Sequence, residues 1–331
     1  MNNIAIVILN WNGKALLEEF LPYIIKYSEN AIIYVADNAS TDSSVEYVKT
    51  AFPQIKIIQN KGNFGYAKGY NEALKEVDEE IYALVNSDIE VTPNWLLPIA
   101  ELFDKDRETA IVQPKILDYY KRDTFEYAGA AGGFIDKYGF AYCRGRVFET
   151  IEKDNGQYND ILDIFWASGA CFFIRKDVFW ELGGFDEDFF AHQEEIDLCW
   201  RAFNQNYKLK VCGTSHVFHV GGATLKNTNP MKTFLNFRNS LWMMLKNLPT
   251  GKLFPVLFVR LFQDGLASMR FLSQGKFAFL WAVLKSHFYF YLYLFKFLNK
   301  RKSKQYKNYY KTNSIVYNYF ILGKKNFNNS L

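Results

Sequence analysis

Four short apolar runs, each followed by a stretch with helical periodicity, constrain this chain more than any other feature. The runs occupy residues 4–9, 32–36, 55–59 and 81–85. Between them lie an amphipathic stretch at 15–27, a segment that Ser43 and Glu46 open as a capping box, and a helical segment at 66–77. After the fourth run, Thr92-Pro93 supplies an N-cap and a first helical position. Strands that are apolar throughout need cover on both faces, and crossover helices provide it. The alternation therefore predicts an α/β fold with a mainly parallel sheet flanked by helices.

That layout locates a ligand site before any chemistry is considered. In open α/β sheets, ligands bind just beyond the carboxyl ends of the strands. The segments there are Asn10-Trp11-Asn12-Gly13, Asp37-Asn38-Ala39-Ser40-Thr41-Asp42, Asn60-Lys61-Gly62-Asn63-Phe64-Gly65 and Asn86-Ser87-Asp88-Ile89-Glu90. All four are polar or contain glycine, and together they predict a crevice for a nucleotide or a sugar. Asp37 can accept a hydrogen bond from a nucleobase imide or a ribose hydroxyl. Asp88 can hold Mg²⁺ or Mn²⁺ between two phosphates, because hard cations take oxygen ligands; the bland alternative is an Asx turn after a strand.

Further along, Glu194-Glu195-Ile196-Asp197 stands at the start of a helix expected over 194–205. Acids there are favoured by the helix dipole alone. One of them can also act as general base toward a hydroxyl, with the others capping the helix or orienting Arg201. His216 and His219 are three residues apart, so they are out of register for one strand face; one is expected to be structural and the other to meet a metal or phosphate. Residues 115–165 are rich in glycine and mixed charge and read as long loops or short strands. Strand character returns over 161–174.

The net charge of +4 conceals an asymmetry. Residues 251–331 hold 14 Lys and Arg against one acid, Asp264, whereas the remainder carries 25 bases and 34 acids. This split suggests an acidic soluble domain and a basic tail that meets something anionic. Residues 234–248, 253–262 and 277–295 are helical, aromatic and apolar, but Arg260, Lys285 and His287 interrupt them. A central Lys costs a spanning helix roughly 2.5–3.5 kcal/mol, so helices lying in a membrane interface are preferred, with packing on a partner subunit as the alternative. Cys143, Cys171, Cys199 and Cys212 form no C-x-x-C pair and read as reduced, buried thiols. The N-terminus enters a strand directly, and no secretory signal is expected from it.

Taken in order, these segments resemble the inverting family 2 glycosyltransferases of the GT-A fold, in particular the rhamnosyltransferase-like enzymes of bacterial surface-polysaccharide or O-antigen assembly. The resemblance is carried by Val7-Ile8-Leu9-Asn10-Trp11-Asn12-Gly13, Val35-Ala36-Asp37-Asn38-Ala39-Ser40, Asn63-Phe64-Gly65-Tyr66-Ala67-Lys68-Gly69 and Leu84-Val85-Asn86-Ser87-Asp88. It continues through Trp166-Ala167-Ser168-Gly169-Ala170, Gly183-Gly184-Phe185-Asp186-Glu187-Asp188, residues 194–201 and His219-Val220-Gly221-Gly222. It implies a GT-A catalytic domain over 1–225 and a helical, membrane-associating region over 226–331. It implies donor contacts from Asn10, Asp37, Asn38, Gly62, Asn63, Lys68, Asn86, Ser87, Asp88 and Arg201. Acceptor contacts would come from Trp166, Ser168 and Gly169. Asp88 and His219 would hold Mg²⁺ or Mn²⁺, and the base would be Glu195, with Glu194 and Asp197 as the other candidates. The family's Asp-x-Asp stands here as Asn86-Ser87-Asp88, and its Glu-Asp pair as Glu194-Glu195.

The partners implied are a dTDP-, UDP- or GDP-linked sugar and a glycan or lipid-linked saccharide acceptor, with peripheral contact at the inner face of the cell membrane from the cytoplasm. No nucleic-acid partner is implied, and a homo-oligomer is left open. A nucleotidyltransferase is disfavoured, since it would carry a glycine-rich, basic phosphate loop after the first strand. A catalytically silent scaffold would be free to lose Asp37, Asp88 and Glu195, which are all present.

Overall fold

A computed structural model describes residues 3–221 and 229–330. Gly222, the last residue of the motif that begins at His219, lies outside them. The strands are β1 (Ile4–Asn10), β2 (Ala31–Asp37), β3 (Lys56–Gln59), β4 (Ile81–Asn86), β5 (Ile89–Val91), β6 (Thr109–Asp118), β7 (Gly133–Ile135), β8 (Ala141–Cys143), β9 (Arg146–Val147), β10 (Thr150–Ile151), β11 (Ile161–Asp163), β12 (Cys171–Arg175) and β13 (Lys208–His219). The helices are α1 (Lys14–Tyr27), α2 (Ser44–Ala51), α3 (Gly65–Ala73), α4 (Leu97–Lys105), α5 (Lys176–Glu181), α6 (Glu194–Asn204), α7 (Pro230–Asn247), α8 (Leu253–Ser273), α9 (Phe277–Leu292), α10 (Leu294–Asn299), α11 (Ile315–Phe320) and α12 (Phe327–Ser330).

The main sheet runs β11-β13-β6-β12-β4-β1-β2-β3, with β5 paired to β13. The first four runs form its parallel half, in a register that sets Asn10 against Asp37 and Leu9 against Asn86. The polar loops expected to converge are thus brought to one edge by strand register alone. Alternate residues of these strands serve opposite faces. Ala5, Val7, Tyr82 and Leu84 enter one core cluster, whereas Ile6, Ile8, Ala83 and Val85 enter the other. β12 then joins antiparallel to both β4 and β6, making the sheet mixed.

Three local expectations change. Residues 161–174 divide into two strands, β11 and β12, on different parts of the sheet. Ser43 makes no side-chain cap; the Asp42 carboxylate instead accepts from the backbone N–H (3.1 Å) and hydroxyl (2.5 Å) of Ser44. Thr92 does not open a helix either, because its hydroxyl donates to the carbonyl of His216 at 2.7 Å and α4 begins only at Leu97. In both places a long-range or neighbouring acceptor outcompeted the local motif.

The loop-rich segment folds into a small antiparallel sheet, β10-β9-β8-β7. The aromatic residues fill the joint between sheet and C-terminal helices: Trp242 stacks on Phe297 at 4.2 Å, and Trp200 lies 5.1 Å from Tyr309. One core cluster therefore runs unbroken from Val7 through Trp200 to Met244, Tyr309 and Phe327. All four cysteines are free and buried. Among the described residues, no helix is long and apolar enough to cross a membrane.

Candidate active site

Three of the four loops are knitted together by asparagines. The Asn10 amide nitrogen lies 2.9 Å from an Asp37 carboxylate oxygen and 3.0 Å from the Ser44 hydroxyl. Asn12 accepts from the backbone N–H groups of Thr41 and Asp42. Asn38 donates to the Gly65 carbonyl at 3.0 Å and accepts from Asn60 at 2.7 Å. Asp37 also accepts from the Ser40 backbone N–H at 2.9 Å and from its hydroxyl at 2.5 Å. At 1% exposure, Asp37 anchors its loop. Asn63 accepts from Gly65 N–H, and Gly62 lies against the Phe64 ring. Lys68 sits over that ring, 4.7 Å from its centroid, with Glu187 3.9 Å away.

Asn86-Ser87-Asp88 connects β4 to β5. Because β5 pairs with β13, Ile89 lies opposite His219, and the Val220 N–H donates to the Asp88 carbonyl at 3.2 Å. His219 Nε2 consequently stands 3.2 Å from Asp88 Oδ1. On its other side, His219 Nδ1 is 3.4 Å from Glu126 Oε1, outside good hydrogen-bond geometry. Burial works against a charged imidazole here, but the two carboxylates outweigh it and raise His219 to about 10. His216 faces away from this group, and burial lowers its pKa. Of the two histidines, His219 is the one beside Asp88.

A divalent cation fits this arrangement by displacing the proton that the two carboxylates otherwise hold on His219, since a ligating imidazole must be neutral. One carboxylate oxygen and one imidazole nitrogen, both buried, converge at hydrogen-bond separation, and such ions complete their shell from substrate phosphates. Among the described residues no group of three or more His, Cys, Asp or Glu forms a closed metal cage. Glu126 was not legible in the sequence, being one acid in a segment without periodicity. Its second oxygen accepts from the Ala128 N–H at 2.5 Å, which aims the first at His219. A carboxylate behind a ligating histidine orients the ring. Glu126→Gln is accordingly expected to weaken Mn²⁺ binding about 10–100-fold, as read by titrating free Mn²⁺; unchanged affinity would remove Glu126 from the site.

The acidic group of α6 reaches the same edge. The Tyr66 hydroxyl donates to the Gly169 carbonyl at 2.7 Å, and the Tyr66 N–H donates to the Phe190 carbonyl at 3.2 Å. Gly65 has φ +71°, and a Cβ there would come within 2.9 Å of the Phe190 carbonyl oxygen, so only glycine allows this approach. A Cβ on Gly169 would lie 3.7 Å from that of Glu195. Asn86 N–H in turn donates to the Ala170 carbonyl at 2.9 Å, so the strand that leads to Asp88 and the segment facing Glu195 are hydrogen-bonded neighbours.

The carboxyls of this group have separate fates. Glu194 is buried, with Oε2 lacking a partner, and burial together with the charge of Glu195 pushes it well above its ordinary value. Glu195 is partly exposed, and desolvation raises it to about 7. Asp197 is fully buried and committed: Lys246 and Arg201 each lie 2.8 Å from Oδ2, and Asn247 donates to Oδ1 at 2.8 Å. It is no candidate base. Arg201 is likewise removed from donor binding, since its remaining N–H groups cap the carbonyls of Leu182 and Gly184.

Two of the expected acceptor contacts also belong to the scaffold. The Trp166 indole N–H donates to the Phe134 carbonyl at 2.8 Å, and its ring leaves no room for a side chain at Gly133. Ser168 is buried, donating from its hydroxyl to the Ala128 carbonyl and from its N–H to Gln113. Gly169 remains beside Glu195.

The loop before α6 is held from outside the sheet. Phe190, His192 and Gln193 all have positive φ, a costly run for residues with side chains. The Asn239 amide of α7 stabilises it by donating to the carbonyls of Phe189, Ala191 and His192 at 2.7–3.0 Å. Asp186 and Asp188, in the motif just upstream, pair with Lys246, Lys296 and Lys300 of the helical region. Burial would raise the Asp186 carboxyl, yet Lys246 and Lys300 hold it down to about 2.

A mixed, mostly parallel sheet with its polar loops gathered at one edge and a helical C-terminal region is the GT-A-like architecture of nucleotide-sugar glycosyltransferases. The sequence pattern described as "Glycosyl transferase family 2" matches residues 5–183, more than half of the chain, and the chain belongs to that family. It is 24% identical over 246 residues to a low-salt glycan biosynthesis hexosyltransferase, Agl10, of Haloferax volcanii, covering 72% of this chain and 74% of that one. It is 22% identical over 214 residues to an N-acetylglucosaminyl-diphospho-decaprenol L-rhamnosyltransferase of Mycobacterium tuberculosis, covering 59% and 68%. The structure of GalNAc-T7 with UDP, GalNAc and Mn²⁺ superposes with a TM-score of 0.59 at 17% identity, over 76% of this chain and 49% of that one.

Proposed function

We propose that this chain transfers a sugar from a dTDP-, UDP- or GDP-linked donor to a hydroxyl of a lipid-linked saccharide, with inversion, in surface-polysaccharide assembly. Residues 1–225 carry the chemistry. The observation that carries this reading is Glu195, partly exposed and raised to about 7, placed beside Gly169 at the edge that also holds Asp88 and His219. A base with such a pKa is deprotonated often enough near neutrality and strong enough to take a hydroxyl proton.

In the reaction, the acceptor oxygen forms its bond to the anomeric carbon as the bond to the diphosphate oxygen breaks. Glu195 receives the proton, and the electron pair leaves with the diphosphate. Asp88 and His219 would hold Mg²⁺ or Mn²⁺, which neutralises charge on the leaving group when bound. Asn10, Asn38 and Asp37 fix the loops that enclose the base, and Asn86 and Ser87 present Asp88. The likeness to a transferase named for a diphospho-decaprenol acceptor supports a lipid-linked substrate, and the one to GalNAc-T7 supports a UDP-type donor with Mn²⁺. We place the chain in the cytoplasm, at the inner face of the membrane.

Thermal unfolding with UDP, dTDP and GDP, each with and without Mn²⁺, tests the reading. One nucleotide at about 100 times its dissociation constant should stabilise the chain by about 2.7 kcal/mol. Asp88→Ala should abolish the Mn²⁺-dependent part. No shift with any of the three would overturn the donor assignment.

A further inference from the structure

Helices α8 and α9 form a hairpin whose outward faces carry large apolar side chains with nothing over them. On α8, Phe254, Phe258 and Phe262 follow one another at four-residue intervals, and on α9 Phe277, Trp281 and Phe288 keep helical spacing. These six are 64–78% exposed. Four-residue steps stack side chains on one helix face, so each helix turns a continuous stripe outward. The opposite faces are fully occupied: Val256, Leu257 and Arg260 of α8, and Ala282, Val283 and Phe290 of α9, are buried against the body. The exposure is therefore not the result of a loose helix.

The hairpin is also fastened from within. Arg260 pairs with Asp264 at 2.8 Å, donates to the Ser240 hydroxyl of α7 at 2.7 Å, and reaches the carbonyls of Tyr138 and Gly139. His287 of α9 lies 3.3 Å from the second Asp264 oxygen. Asp264, the sole acid beyond residue 250, is thus buried and neutralised. The exposed charge of the hairpin is of one sign: Arg270, Lys276 and Lys285 are exposed, and the one acid of residues 253–292, Asp264, is buried.

An apolar face this large on a soluble chain marks an interaction surface. We propose that the α8–α9 hairpin lies in the headgroup region of an anionic lipid bilayer, its aromatic stripes toward the acyl chains and its lysines on the lipid phosphates. Charge decides between this occupant and a second copy of the chain. An isologous dimer through this face would set two uniformly basic hairpins against each other with no acid to pair them, whereas an anionic lipid surface complements them. Length decides between lying in the bilayer and crossing it, since no described helix is long and apolar enough to span. The inference deepens the lipid-linked acceptor proposed above, because both substrate and surface would be met at the same interface. It does not depend on the donor chemistry.

The test is sedimentation of the full chain with vesicles of phosphatidylcholine alone and of phosphatidylcholine mixed with phosphatidylglycerol, alongside size-exclusion chromatography. The chain should partition onto the mixed vesicles, less onto phosphatidylcholine, and less at high salt. Phe258→Glu with Phe288→Glu should lower partitioning by more than about tenfold, since two buried aromatic side chains become two charges. Both positions are exposed, so the unfolding midpoint and the nucleotide-induced shift should not change. Wild-type chain that ignores phosphatidylglycerol vesicles, or a double variant that binds them as well as wild type, overturns the proposal. So does a wild-type dimer in solution that the double variant dissolves. Absence of a nucleotide shift with vesicle binding intact would count against the donor site and leave the hairpin standing.

Discussion

Glu195→Gln is expected to lower turnover by about 10²–10⁴-fold while nucleotide binding persists. The amide keeps the shape of the carboxylate but accepts no proton, and among the described residues Glu195 makes no ion pair whose loss would disturb the fold. The pH dependence follows from its raised carboxyl. The base works only when ionised, so turnover should climb as pH rises toward about 7 and level above it; at pH 6 about a tenth of the plateau remains. The stability consequence has the opposite sign. The folded state holds this proton up to about 7, against an ordinary value of 4.5, so its stabilising contribution is present below pH 4.5 and is lost as pH rises through 7. Glu195→Gln should therefore be more stable than wild type above pH 7. A variant that keeps its turnover, or loses it together with nucleotide binding, would remove Glu195 as the base.

Asp197→Ala should do the reverse, costing stability and sparing chemistry. Asp197 is fully buried and shared by Lys246, itself 5% exposed, Arg201 and Asn247. Removing it leaves buried Lys246 and partly buried Arg201 without that partner, and breaking such a group costs about 3–5 kcal/mol. Denaturant unfolding should show that loss, while the folded variant, assayed at low temperature, keeps its turnover within a few-fold. A folded, stable Asp197→Ala chain without activity would return Asp197 to the reacting centre. The two substitutions stand two residues apart in sequence and separate a working carboxylate from a structural one.

The strands, the parallel half of the sheet and the edge where its loops meet were legible because local pattern determines them. Runs such as residues 81–85 are apolar on both faces, and a buried strand is their low-energy state. The positions of Asp88, His219 and Glu195 in the fold were legible for the same reason, since each sits at or beside the end of a strand or the start of a helix. What failed to show depends on distant partners. Trp166 and Ser168 belong to a motif that suggests ligand contact, but Phe134, Ala128 and Gln113, far away in sequence, claim their polar atoms. Arg201 was drawn from donor binding by the carbonyls of Leu182 and Gly184. Glu126 lies in a segment whose conformation is set by a small antiparallel sheet with no periodic signature, and Asn239 was one polar residue in an aromatic helix.

Asn239 has a consequence for how such a chain can change over time. The loop that delivers Glu195 is strained, and its restraint comes from a helix that follows the catalytic motifs in sequence. The lysines that neutralise Asp186 and Asp188 come from that same region. The tail is therefore not a cassette that recombination can exchange for another anchor, however separate its composition makes it look. A chain ending near residue 225 would lose part of its core along with the clasp on the loop before Glu195. Substitutions in the helical half must be compatible with the reacting centre, and the two halves are bound to drift together.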